Sequence, residues 1–190
     1  MRHANLDLLR LAAALTVLIF HFGFRMEITG EGGGVHFSEL RPIAMWCDIG
    51  LLIFFTISGY VITMSTDNRS AVDFAVGRLA RVWPIFVTCS TITAIVLYFN
   101  PVSGLETPTL IQWISHFIII SRLLGQPFLD GAYWTIAVEL IFYGWVFLLI
   151  ALGWYQKQWK AFAIVWIGIS IANEFIVDSE VIRKLFITEY

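Results

Sequence analysis

LDLLRLAAALTVLIFHFGF, residues 6–24, is an apolar run of membrane type with three ionisable residues set into it, Asp7, Arg10 and His21. On an α-helix turning about 100° per residue, the step from Arg10 to His21 amounts to about 1100°, within roughly 20° of whole turns. The two side chains therefore share one stripe, about 16 Å apart along the axis. Asp7 stands one turn before Arg10, close to the same stripe and within ion-pair reach. A charged or titratable group inside a bilayer costs roughly 2.5 kcal/mol or more, so it faces protein or water rather than lipid. The stripe calls for other helices to cover it.

Composition agrees with that reading. Of 190 residues, 58% are hydrophobic and only 14% charged, against about 25% charged in soluble domains. A soluble globular protein is excluded. Sixteen Phe and eight Trp suit lipid-facing and interfacial surface. A formal net charge of −2 gives no footing for nucleic acid. The two cysteines, Cys47 and Cys89, lie in or beside apolar runs and are expected to be free buried thiols rather than a disulfide or metal site. His3, His36 and His116 have no metal-ligand spacing, and no metal is expected. The N-terminus imitates a signal peptide, but Phe22-Gly23-Phe24-Arg25 offers no small-x-small cleavage site and Arg10 interrupts the apolar region. It reads as an uncleaved first span.

Along the chain, residues 25–41 form a polar connector holding Gly32, Gly33 and Gly34, with no following Gly-Lys-Ser/Thr to make a phosphate loop. A second span is expected over 42–64, a polar stretch over 65–81, and a third span over 82–99 with Pro84 in its first turn. Residues 100–109 read as a turn-rich loop. The apolar run 110–124 is shorter than the roughly 20 residues a span needs, so it reads as a re-entrant or interfacial helix. Further spans are expected over 133–152 and from 161 to 177, and 179–190 reads as the approach to something further on. The fold class is all-α: a polytopic transmembrane helix bundle of about five spans plus that partial helix. Arg69, Arg78, Arg81, Lys157 and Lys160 occupy loops on one side, whereas 99–109 holds no Lys or Arg. The positive-inside rule then places the N-terminus in the cytoplasm.

Several polar residues are candidates for chemistry. His21, near the outer end of helix one, is either a packing hydrogen-bonder or a general base that a carboxylate can orient. Glu139 lies at similar depth in its own span and is the candidate carboxylate; the bland alternative is a protonated glutamate or one paired with arginine. Arg78 and Arg81, one turn apart, either set topology or clamp a phosphorylated ligand on the cytoplasmic side, because arginine grips phosphate bidentately. Arg10 emerges on that side too.

Four stretches together resemble the bacterial membrane acyltransferase-3 family, which includes polysaccharide and lipopolysaccharide O-acetylases. Arg10-x10-His21 matches its first-helix spacing; Phe54-Phe55-Thr56-Ile57-Ser58-Gly59-Tyr60 matches its FFxxSG(F/Y) segment. Arg78-Leu79-Ala80-Arg81 before Trp83-Pro84 is similar to its RxxR stretch, and Tyr133-Trp134-Thr135-Ile136-Ala137-Val138-Glu139 matches YW(S/T)(L/I)xxE. Leu52 departs from an aspartate that many members carry. The family's core has more helices than this chain supplies, so the resemblance is to an N-terminal half, and 1–190 reads as a single membrane acyltransferase-like domain truncated at its C-terminus.

The resemblance implies an enzyme of the bacterial inner membrane that moves an acyl group, usually acetyl, from cytoplasmic acyl-CoA to a sugar hydroxyl of an envelope or exported glycan. It implies no bound cofactor; acyl-CoA is the donor substrate. His21 would be the catalytic base or acyl carrier, with Glu139 orienting it. Arg10, Arg78 and Arg81 would serve the donor, and Ser58, Tyr133 and Trp134 would line the substrate site. Its partners would be membrane lipid, the donor and a glycan or glycolipid acceptor, with a homo-oligomer open and no nucleic acid. Two other readings compete: a small transporter or proton-path subunit, since intramembrane His, Glu and Arg also mark ion routes, and an inactive truncated remnant. An inverted repeat would favour the transporter, and none is evident between 1–99 and 100–190.

Overall fold

A computed structural model describes residues 4–30, 34–66, 69–100, 107–118, 121–177, 179 and 182. Gly32 and Gly33 of the connector, most of the 100–109 loop and most of 179–190 lie outside the described residues. Those described are helical with intervening turns, and none is in a strand. Membrane-spanning helices satisfy their backbone polar groups within the segment, which is why long apolar runs of this kind fold as helices in lipid. Four helices among the described residues are long and apolar enough to cross a membrane: Ala4–Thr29, Arg41–Ser65, Ala71–Phe99 and Gly131–Ala151.

The chain divides into two compact units, Met1–Asp67 with Leu97–Thr107, and Asn68–Val96 with Pro108–Tyr190. In the first, α1 (Ala4–Phe20) runs into a π-helical turn over His21–Arg25 and then α2 (Met26–Thr29), ended by Gly30 at φ +72°. The chain returns through α3 (Arg41–Ala44), opened by Pro42, into α4 (Ile49–Ser65). Two close approaches hold this unit. A Cβ on Gly50 would lie 2.1 Å from the Thr16 hydroxyl and 2.6 Å from the Ala13 carbonyl, so α4 crosses α1 where only a glycine fits. A Cβ on Gly23 would lie 2.7 Å from that of Ala44, seating the π-turn on α3.

The second unit begins with α5 (Ala71–Phe99), an unbroken helix whose first turn is capped by Ser70, which accepts from the Asp73 N–H at 3.0 Å. The helix thus starts eleven residues before the expected span at 82, and Pro84 lies in its interior, not its first turn. The cap and the helix-tolerant sequence 71–81 extend the helix past the apolar run. Pro84 cannot donate to the carbonyl one turn before it, a loss a long packed helix absorbs. Then come α6 (Leu110–His116), a 3₁₀ turn over Ser121–Leu124, a second over Gly131–Tyr133, α7 (Trp134–Ala151) and α8 (Tyr155–Ala172).

Thr109 and Gln112 form a reciprocal capping box at the start of α6, the Gln112 N–H donating to the Thr109 hydroxyl at 3.1 Å. Seven residues reach only about 10 Å, and α6 is not among the described helices long and apolar enough to cross a membrane. Gly153 at φ +68° reverses the chain between α7 and α8, with the Trp154 N–H closing on Leu149 at 2.9 Å. Phe142, Trp145, Phe162 and Trp166 pack as a ring cluster between these two helices. Helix α8 carries Gln156, Lys157, Gln158 and Lys160 in its first two turns, and these dilute an otherwise apolar segment that a π-turn over Asn173–Val177 extends.

Large apolar side chains such as Leu8, Leu15, Ile85, Ile95 and Ile164 point outward from the helices. That is the surface a helix presents to lipid. The same outward face explains the cysteines: both are free, but Cys47 is half-buried and Cys89 exposed, because an apolar run in a membrane helix need not be buried in protein.

Candidate active site

Arg10 and His21 belong to the first unit. Arg10 pairs with Asp7 at 3.0 Å, its side chain 23% exposed against 61% for the aspartate. His21 is half-buried and meets Phe20 edge to face at 5.8 Å. It opens the π-turn: the Met26 N–H closes on the His21 carbonyl, five residues back rather than four. Such one-turn bulges concentrate at functional sites. Because the helix is regular α from Ala4 to Phe20, the Arg10–His21 stripe survives intact, and the change of pitch begins at the histidine itself. Ser58 sits half-buried on α4.

The other candidates belong to the second unit. Arg78 is half-buried on α5, its guanidinium carbon 5.6 Å from the ring centroids of both Phe74 and Tyr143. Tyr143 in turn donates its hydroxyl to the Glu139 carboxylate, one turn back on α7. Arg78 and Glu139 are thereby joined through one tyrosine. Arg81 is exposed on α5, one turn beyond Arg78. Tyr133 shares a 2.7 Å hydrogen bond with Thr93 and packs against Phe86 at 5.1 Å. Phe74 and Arg78 meet Tyr143 while Phe86 and Thr93 meet Tyr133, so α5 and α7 run antiparallel. Trp134 is the first residue of α7 and half-buried.

His116, to which the sequence assigned nothing, is a buried structural histidine outside the four spanning helices. Its Nε2 accepts from the Leu129 N–H at 3.1 Å, so Nδ1 carries the proton and donates to the Gln112 carbonyl at 2.7 Å. Burial pushes its pKa below the usual histidine value, with the Gln112 bond opposing. Among the described residues no cluster of His, Cys, Asp or Glu forms a metal site.

Sequence reading missed Tyr143 and Phe74. The signal was available: each stands four residues from a candidate, Glu139 or Arg78, on the same helix face. Nothing local announces the π-turn, within which Gly23 packs closely against Ala44.

A family model described as an acyltransferase domain matches residues 3–176. The chain belongs to the acyltransferase-3 family. It is 25% identical over 194 residues to nodulation protein 10 of Rhizobium leguminosarum bv. viciae, an overlap of 91% of this chain and 50% of that protein. It is 27% identical over 178 residues to the O-acetyl transferase of Shigella phage Sf6, covering 84% and 48% respectively. The chain thus spans about half the length of the curated relatives it matches. No solved structure matches it significantly. Family membership and the apolar helices together make this a membrane protein.

Proposed function

We propose that the chain carries the acyltransferase domain of an integral membrane O-acyltransferase that moves an acyl group from cytoplasmic acyl-CoA to a sugar hydroxyl of an envelope or exported glycan. The observation that carries this reading is the Arg10–His21 stripe on one regular helix, with the helix changing pitch where the histidine stands. The name of the phage relative, an O-acetyl transferase, favours acetyl as the group moved. Family membership supports a bacterial inner membrane, and the distribution of Arg and Lys supports an N-terminus in the cytoplasm. On that topology the arginines meet the donor and His21 lies toward the outer face.

Arg10, Arg78 and Arg81 are the groups for the donor's phosphates, since guanidinium offers paired donors matched to phosphate oxygens. Neutral His21 takes the proton from the acceptor hydroxyl as its oxygen attacks the thioester carbonyl. The new C–O bond forms, the C–S bond breaks, and CoA leaves as thiolate to collect the proton from the imidazolium. Glu139, which accepts from Tyr143, is the second catalytic candidate.

The test is transfer of labelled acetyl from acetyl-CoA into envelope glycan by membranes carrying the chain. His21→Ala should cut incorporation by about a hundredfold or more, and Arg81→Ala should raise the donor KM. Absence of label with the unaltered chain, or full activity in His21→Ala, would overturn the reading.

A further inference from the structure

Tyr143 touches two candidate residues with two different parts of its side chain. Its ring meets the Arg78 guanidinium 5.6 Å from the centroid, and its hydroxyl donates to Glu139. The side chain is 7% exposed and stands edge to face with Phe74, at 6.0 Å and 88°. Phe74 contacts the same guanidinium.

Both contacts restrict groups that are otherwise costly to hold still. An arginine side chain carries about 2 kcal/mol of rotamer entropy. Contact with two aromatic rings limits that freedom and holds the guanidinium near one position. A carboxylate at the middle of a span has few local donors, and the hydroxyl one turn away fixes its rotamer.

Resting on the function proposed above, we infer that Tyr143 is a positioning residue, holding the donor-binding Arg78 through its ring and Glu139 through its hydroxyl. Donor affinity and the transfer step then depend on separable parts of one side chain.

The test compares the full chain with Tyr143→Phe and Tyr143→Leu in native membranes, measuring kcat and the KM for acetyl-CoA, each normalised to folded protein. Tyr143→Phe keeps the ring and should lower kcat about tenfold, leaving the donor KM within about twofold. Tyr143→Leu should lower kcat similarly and also raise the donor KM about fivefold or more, the direction expected of Arg78→Ala. Adding Tyr143→Phe to Glu139→Ala should cost nothing further, since loss of the carboxyl already removes the link.

An active parent in which Tyr143→Phe keeps its kcat, or in which both variants shift KM alike, overturns the role of Tyr143 alone. So does a loss confined to the amount of folded protein. A parent that transfers no acetyl overturns the proposed function, and the role of Tyr143 with it.

Discussion

The indole N–H of Trp83 donates to the backbone carbonyl of Phe117 at 2.7 Å, and Phe117 is the residue at which α6 stops. The last carbonyls of any helix lack intrahelical partners; here one is met by a side chain of α5. Trp113 makes the complementary link, its indole donating to Thr91 at 3.1 Å. The partial helix is thus fastened to α5 at two points one turn apart on a single face, and Phe86 stacks on His116 between them at 6.0 Å.

Trp83→Phe keeps the ring and removes the donor. It should destabilise the protein by about 1 kcal/mol, and by more if the Phe117 carbonyl finds no replacement in an apolar setting. Thermal unfolding in nanodiscs measures this; an unchanged midpoint would refute the link.

Gly50→Ala should be far more damaging than its size suggests. The added methyl would meet the Thr16 hydroxyl and the Ala13 carbonyl, and backbone cannot step aside as a flexible side chain can. Overpacking of this kind costs about 1–3 kcal/mol. Gly168→Ala, with nothing within 4 Å of the new Cβ, is the control and should leave the midpoint unchanged or raise it slightly.

His116 predicts a pH effect whose sign is fixed by its burial. The folded pKa lies below the ordinary 6.5. The stability its neutral form contributes is therefore fully present above that value and is lost as pH falls through the folded pKa. Below 6.5 the unfolded chain binds a proton that the folded chain refuses. Lowering the pH from about 7.5 to about 5 should depress the unfolding midpoint of the parent more than that of His116→Gln. Parallel curves would sink the assignment.

Asp7→Asn should change stability by less than about 1 kcal/mol, since the aspartate is mostly exposed and such pairs contribute little. A larger loss, read from the same unfolding curves, would mean that Arg10 depends on its partner to remain in the helix.

Spans, the Arg10–His21 stripe and the Asp7–Arg10 pair were legible because they rest on hydropathy and on the helical repeat, both of which are local. The brevity of 110–124 was legible for the same reason. The start of α5 was readable as well: Ser70 and Asp73 stand at capping spacing, but the weight given to Pro84 as a first-turn residue hid it. Tyr143 was within reach of an i, i+4 reading from Glu139, whereas its contact with Arg78 needed the register of α7 against α5. The close approaches at Gly23 and Gly50 depend on chain segments far apart in sequence, and glycine alone does not announce them.

The π-turn also divides the first span mechanically. One surplus residue rotates everything after it by about 100° relative to an unbroken α-helix, so the two ends of the span keep independent facings. Upstream, Arg10 and His21 share an azimuth; downstream, Glu27 is turned toward Arg41, which it reaches at 3.1 Å. Deleting one residue between His21 and Arg25 would remove the slip and force a choice, with either the His21 azimuth or the Glu27–Arg41 latch surrendered. The histidine stands at the seam, where its orientation is tied to the upstream shaft and its carbonyl to the downstream one.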